Sequence, residues 1–443
     1  MKEQSDSVYS RGLPVIGHLL DYQKDRLKLL TDLRQKHGSR FRLKIGPKTL
    51  AVLTDPADIK RVMHTNISNY YKKTNFDQLF GIGVFTSNDE AWKIQRKMVQ
   101  PLFGPRYIES CAAIILNKTK ENLKAYIEKS QDTEADIYDY YAKATFDIII
   151  ATIIGIDYSS RFKELNFALN YVSDYLTRSN YLPFELPRWA SPSKKKYREC
   201  QNLLDEIIFE SVEAQKSQDK RKDSSMISLL LEAQEKNPGI EFSDQRIRDN
   251  IITLMFAGFE TSALTLSWLS CLLAAHPQTQ EELYQEIKGL SLDSIKVKDF
   301  DNYPVLDAVV NETMRLYPAG WAWTRMARED DDINGFSVKK NDIILLSPYL
   351  TQRDPLIWEN PNEFQHKRFM NVEPGKYPPF SFFPFGGGPR ICVGKQFGTV
   401  EIKMILVWTL QNYKLVGNKV PSPAPLATLQ AREGFNLQLK RRQ

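Results

Sequence analysis

The chain has 443 residues, enough for a sizeable core, with 42% hydrophobic and 26% charged residues and a net charge of +6. That excess is mild and its basic residues interleave with acidic ones, so a nucleic-acid partner is not expected. Cysteines at 111, 200, 271 and 392 show no paired spacing, and no two histidines stand at i, i+4. Neither a disulfide framework nor a zinc site is therefore predicted, and a cytoplasmic, reducing location fits.

The first residues, Met1 to Asp6, carry no apolar run, and the aliphatic stretch 148–156 is interrupted by Thr152 and Gly155. The expectation is a soluble protein without signal peptide or transmembrane anchor. Leu13-Pro14-Val15-Ile16-Gly17 makes a stiff entry, followed by a mixed helix to about Lys36. Phe41, Leu43 and Ile45 alternate with basic residues, Gly46-Pro47 interrupts, and Thr49 to Leu53 follows: a hairpin pattern. Asp55-Pro56 then caps and starts a helix.

From Tyr70 to Asn88 there is no sustained period, and the run of Phe76, Phe80, Gly81, Gly83 and Phe85 predicts a long ordered loop. Trp92 and Arg96 stand one turn apart on the next helix. Helical periodicity predicts helices over 111–129, 137–156, 162–179 and 194–215. Between the last two lies Tyr181-Leu-Pro-Phe-Glu-Leu-Pro-Arg-Trp-Ala190, which suits a lid or a membrane-facing strip. A polar linker follows from Ser217.

Ser243 caps a helix running to about Ala275, roughly 48 Å at the helical rise and long enough to cross the molecule. Inside it, Ala257-Gly258-Phe259-Glu260-Thr261 puts a glycine and an acid–alcohol pair into an apolar run. Alone, the pair reads as a helix kink with Thr261 bonded back to a carbonyl. Glu312 and Arg315 share a helix face that Tyr317-Pro318 ends. A second hairpin is predicted over 333–346 around Lys339-Lys340-Asn341. Phe435, Leu437 and Leu439 alternate as a closing strand.

The stretch with the most chemistry is Phe385-Gly386-Gly387-Gly388-Pro389-Arg390-Ile391-Cys392-Val393-Gly394, a flexible loop delivering one cysteine to the start of an apolar helix, 395–410. Free N–H groups there favour a thiolate. The pattern F-x-x-G-x-R-x-C-x-G resembles the haem-binding loop of the cytochrome P-450 family. W-x-x-x-R at Trp92 and Arg96, A-G-x-E-T at 257–261 and E-x-x-R at Glu312 and Arg315 occur in that family's order, and Arg368 matches the third member of its Glu-Arg-Arg cluster.

The resemblance implies a single haem domain over 1–443, mainly α with small β-sheets (α+β), a triangular helical prism around a buried haem. Its β-rich region would lie mainly at 38–55, 325–350 and 413–440, with helical bulk at 56–320 and 395–412. It implies haem b with Cys392 as the thiolate ligand of the iron. Trp92, Arg96, Arg325 and Arg390 would serve the propionates, and Phe385, Gly386, Gly394 and Ala257 would line the cofactor. Thr261 and Glu260 would supply protons, with Gly258 leaving room for oxygen and Glu260 rotating toward solvent. Glu312, Arg315 and Arg368 would form a structural cluster. Phe85, Phe259, Trp321, Trp323 and Phe435 are expected around an apolar substrate.

The implied activity is a monooxygenase acting on a fatty acid, terpenoid or polyketide. It would be a monomer fed by a ferredoxin or flavodoxin with an NAD(P)H reductase, docking at a patch of Lys72, Lys73, Lys93, Lys97 and Lys395. Two rivals stand beside it: a peroxide-dependent or rearranging haem-thiolate enzyme, and a non-catalytic haem or gas-binding protein.

Overall fold

The computed structural model describes residues 9–10, 12–74, 76–130, 133–156, 158–179, 192–217, 225–236, 243–373 and 375–442. Met1 to Asp6, the strip 181–190 and most of the polar linker after Ser217 lie outside them.

A central helix, Asp244–Ala275, organises the rest. The Ser243 side chain accepts from the backbone N–H of Arg246, capping it as predicted. The helix is apolar on every side, so neighbours must surround it. Tyr138–Ile149 packs along it from Gly258 to Ser270, and Lys395–Asn412 meets it at Ser262. Thr145 Oγ1 donates to the Phe259 carbonyl at 3.0 Å. Near its C-terminal end Trp268 stacks on Tyr317 with ring centroids 4.0 Å apart. By length and composition the central helix could cross a bilayer, but 78% of its most apolar window is buried inside the protein.

Helices Asp89–Val99, Pro105–Ser130, Phe162–Ser179, Pro192–Lys216, Met226–Lys236, Pro277–Ile287 and Pro304–Leu316 are further parts of the helical body. One sheet has six strands in the order Tyr9–Ser10, Arg40–Ile45, Lys48–Leu53, Ile343–Leu346, Trp323–Ala327, Tyr70–Tyr71. The predicted first hairpin pairs Arg40 with Leu53 and Ile45 with Lys48. A second sheet joins Tyr413–Val416, Asn436–Arg441 and Ala135–Asp136. Strands Tyr9–Ser10, Tyr70–Tyr71 and Ala135–Asp136 thus fall outside the three predicted β-rich stretches, each being a two-residue addition to a sheet edge.

The second hairpin is not where it was expected. Asp331–Ile333 pairs with Phe336–Val338 across Asn334-Gly335, whose φ values of 52° and 83° suit an Asn-Gly turn. Lys339-Lys340-Asn341 is a turn, but it leads from that hairpin into Ile343–Leu346 of the six-stranded sheet. The positive-φ requirement decides the choice: Asn-Gly meets it at both central positions.

Candidate active site

The cysteine loop owes its shape to two left-handed residues, Gly386 at φ 72° and Gly388 at φ 65°. A side chain at Gly388 would put a Cβ 2.0 Å from the Met63 carbonyl oxygen, so only glycine fits. The Cys392 N–H donates to the Phe385 carbonyl at 2.9 Å, closing the loop on itself. Arg96 Nη1 donates to the Ile391 carbonyl at 2.8 Å and fixes it against the helix Asp89–Val99. Gly394 is the N-cap of Lys395–Asn412 at an ordinary φ of −82°; a Cβ there would sit 4.0 Å from the Cys392 sulfur.

Burial pushes the Cys392 thiol pKa up, opposed by the N–H groups of Gly394 and Lys395 and by the charges of Arg96 and Lys395. The helix start thus favours a thiolate as expected, but desolvation outweighs it, and a cation at the sulfur would restore the balance. Cys392 is nevertheless accessible. A sulfur both enclosed by protein and accessible faces an interior space.

The central helix has an accessible stretch of its own, next to where it meets the cysteine helix: Ser262 Oγ is 3.7 Å from the Cβ position of Gly398. Its neighbours along the chain are buried, but Ala257 is exposed and Phe256, Gly258 and Thr261 are half-buried. Thr261 Oγ1 donates to the Ala257 carbonyl at 2.7 Å. Gly258 serves another purpose than the expected one: a Cβ there would fall 2.6 Å from Ile149 Cδ1, so the glycine lets two helices approach. Glu260 is also differently placed. Its Oε1 accepts from Thr428 Oγ1 at 3.1 Å and Gln430 Nε2 at 2.9 Å, and the side chain is buried, so it is pinned rather than free to rotate. Burial raises its pKa, with Gln430 and Thr428 counteracting in part.

Four cations surround this space. Arg325 is buried, its Nε has no hydrogen-bond partner among the described residues, and its Nη1 reaches only the neighbouring Thr324 carbonyl. Burial and the charge of Arg390 push its pKa down to about 10. Arg390 donates to the Ser87 carbonyl at 2.7 Å and lies 4.8 Å from the Trp92 ring centroid; burial takes it, too, to about 10. Lys72 Nζ sits 2.9 Å from the Phe85 ring centroid, and burial, Arg325 and Arg390 lower its pKa while Cys392 raises it. Arg96 is lowered by burial and raised by the same sulfur. Buried cations repelling one another call for an anion between them.

Lys72 therefore belongs to the interior rather than to the expected surface patch. Its signal in the sequence was its place at the head of the aromatic loop carrying Phe85. Among the described residues no group of three or more His, Cys, Asp or Glu could hold a metal ion. The donor set consequently fits a metal that brings its other donors with it: a flat macrocycle with anionic arms, its iron taking one sulfur. Haem b meets each requirement.

The structure does not bring all the expected substrate residues together. Phe85 is half-buried beside Lys72, with its ring edge-on to Phe76 at 6.2 Å and Phe80 at 5.9 Å. Phe80 is in turn 5.2 Å from Phe256, next to Ala257, so Phe85 belongs to the site. Phe259 is buried edge-on to Phe146, at 5.9 Å. Trp321 is buried in the second core, donating to the Leu426 carbonyl at 2.9 Å. Phe435 is buried edge-on to Trp268 at 4.9 Å. These three are packing residues, because apolar side chains at helix and strand crossings fill the core first. Trp323 is half-buried against the third core cluster. Glu312, Arg315 and Arg368 do meet: Arg315 Nε and Nη2 grip the Glu312 carboxylate at 2.7 and 2.8 Å, and Arg368 Nε adds a bond at 3.0 Å.

The family model described as Cytochrome P450 matches residues 9–438. The chain is 30% identical over 430 residues to Cytochrome P450 3A6 of Oryctolagus cuniculus, covering 90% of this chain and 84% of that protein. It is 28% identical over 456 residues to a protein of Drosophila melanogaster named Probable cytochrome P450 4s3, covering 96% and 90%. In fold it is similar to the crystal structure of the cytochrome P450DA heme domain, with a TM-score of 0.88 at 22% identity, over 99% of this chain and 98% of the other.

Proposed function

The chain belongs to the cytochrome P450 family, and from that premise we propose that it inserts one oxygen atom from O2 into a hydrophobic organic molecule such as a fatty acid or terpenoid. Family membership makes it a haem-thiolate monooxygenase, an oxidoreductase using haem b on a cysteine thiolate, a redox partner and hydrophobic substrates. The finer reading is a cytoplasmic monomer served by a ferredoxin or flavodoxin with its NAD(P)H reductase. One observation carries the site assignment. Lys72 feels Cys392, Arg325 and Arg390 at once, and from it Phe85 and Phe80 lead in ring contact to Phe256 beside Ala257 on the central helix, which supports reading Cys392, Ala257 and Thr261 as sides of one site.

When bound, haem supplies the iron that activates oxygen. The chain supplies what surrounds it. Cys392, with N–H groups of Gly394 and Lys395 directed at its sulfur, is the proposed ligand, and the cationic rim would balance the propionates of a bound haem. Phe85 and its aromatic neighbours exclude water and receive an apolar molecule. Thr261 Oγ1 holds a proton now directed at the Ala257 carbonyl; turning about χ1 releases it toward the space. Glu260, whose pKa burial raises, is the adjacent acid; held by Thr428 and Gln430, it reaches that hydroxyl only if those two bonds break.

The test uses purified haem-loaded protein, a ferredoxin with its reductase, NADPH and a panel of lipophilic compounds. Product is expected only with the electron donor, and Cys392→Ser should lose the red-shifted carbon-monoxide band of the reduced protein. Thr261→Ala should keep haem and substrate binding while lowering product formed per NADPH consumed, with hydrogen peroxide rising in step. Equal coupling in the variant would reduce Thr261 to a helix-bonding residue and favour the peroxide-dependent rival.

A further inference from the structure

The loop carrying Phe85 is held at both ends, and one anchor lies on the first two turns of the central helix. At the cofactor end, Asn88 bonds both the N–H and the carbonyl of Lys72, at 3.0 and 2.8 Å, and Arg390 reaches the Ser87 carbonyl. At the other end, the Ile82 N–H donates to Asp249 Oδ2 at 2.9 Å and the Val84 N–H to Asn250 Oδ1 at 3.0 Å. The chain lies flat on the helix here. A Cβ at Gly81 would be 2.2 Å from Asp249 Oδ2, and one at Gly83 would be 2.5 Å from Thr253 Oγ1. These two glycines are what allow the approach.

Asp249 and Asn250 are buried and fully engaged. Arg248 Nη1 donates to Asp249 Oδ1 at 3.0 Å and to the Leu79 carbonyl at 2.5 Å, while its Nε donates to Asp205 on the helix Pro192–Lys216 at 2.7 Å. Asn250 Nδ2 donates to Gln95 Oε1 at 2.5 Å, on the helix that carries Trp92 and Arg96. One helical turn therefore joins the Phe85 loop, the Pro192–Lys216 helix and the cofactor-side helix. Between the two anchored ends stands Phe85, the aromatic that faces the site.

We propose that Asp249 and Asn250 are positioning residues for substrate selection: by bonding the backbone of Ile82 and Val84 they hold Phe85 over the site and set the size of molecule admitted. The inference rests on the monooxygenase reading for its substrate but not for its geometry, and the two fail separately.

The experiment compares haem-loaded full-length protein with Asp249→Ala, Asp249→Asn and Gly83→Ala. Dissociation constants for imidazole and for the bulkier 4-phenylimidazole are read from the Soret shift, and amide hydrogen exchange is followed at Ile82 and Val84. Asp249→Ala and Gly83→Ala should each change the ratio of the two constants by about fivefold or more, the effect of one net hydrogen bond. Exchange at both amides should rise with it. Asp249→Asn keeps an acceptor oxygen for Ile82 but turns an NH2 group toward Arg248 Nη1 and Gln245 Nε2, so it should restore only part of both values. A ratio unchanged in Asp249→Ala and Gly83→Ala, or exchange at Ile82 and Val84 unchanged, overturns the proposal even if melting temperature falls. If a variant loads no haem, hydrogen exchange on the haem-free parent and Asp249→Ala proteins still decides: faster exchange at Ile82 in Asp249→Ala supports the anchor, and equal protection refutes it. Loss of oxygenase activity with normal azole selectivity would count against the function alone.

Discussion

At the scale of single residues, the unusual group is Glu401, one turn after Gly398 on the cysteine helix. It is fully buried, and the hydroxyl of Ser262 is the polar group that acts on its carboxyl. Burial raises its pKa to about 8, with Ser262 of the central helix counteracting only in part. An unfolded Glu titrates near about 4.3. Between those values the native chain keeps a proton that the unfolded chain has released, so stability must fall as pH rises from roughly 4.5 to 8 and level off above. Glu401→Gln removes the titration, and its benefit should grow across that window to on the order of 3–5 kcal/mol at pH 8. Urea unfolding at pH 5, 6, 7 and 8 measures it. Parallel pH slopes for parent and variant would mean that Glu401 is ionised in the native state. Nothing in the sequence marks this residue, because an acid amid Val400, Ile402 and Met404 looks like any helical surface position until the neighbouring helix covers it.

At the scale of elements, the cluster around Glu312 ties the helix Pro304–Leu316 to the chain that follows. Besides Glu312, Arg315 donates to the carbonyls of Gln352 and Pro361 at 2.7 Å and of Glu363 at 3.1 Å, and both side chains are wholly buried. A surface pair would contribute little, but here removing one partner strands a carboxylate and three carbonyls. Arg315→Ala should therefore cost about 3–5 kcal/mol and yield protein poor in haem. Thermal melting with pyridine-haemochrome quantification tests this; a variant with parental melting temperature and haem content would return the pair to a peripheral role. The spacing of Glu312 and Arg315 was legible in the sequence, and so was the match of Arg368. The carbonyl acceptors were not, since backbone groups carry no residue-type signal.

At the scale of the whole molecule, membership of the family implies a redox partner, and the surface of this domain is where its electrons arrive. Lys73, Lys93, Lys97 and Lys395 are exposed near the cysteine side, and Lys93 shares its charge with Glu90 at 3.0 Å. With Lys72 withdrawn to the interior, the patch is smaller than the sequence suggested. Reversing Lys93 and Lys97 to Glu should slow reduction by an acidic ferredoxin several-fold at low salt, with the difference shrinking as ionic strength rises. Stopped-flow reduction under carbon monoxide at 20 and 300 mM salt is the measurement. Equal rates at both salt concentrations would leave these lysines with no part in docking.

By itself the sequence determined what depends on local chemistry: the glycine loop that presents Cys392, the Ser243 cap and long apolar run of the central helix, the first hairpin, and the spacing of Glu312 with Arg315. Each is legible because torsion, capping and helical period act within a few residues. Tertiary structure decided everything that depends on which surfaces meet. It buried Phe259, Trp321 and Phe435 in packing, pinned Glu260 on Thr428 and Gln430, and turned Gly258 toward Ile149. It also drew Lys72 in beside Phe85 and seated Gly81 and Gly83 on Asp249 and Thr253. Those contacts join positions far apart in the chain, and the free energy of a side chain there is set by the partner that desolvates it, which no local pattern of residues encodes.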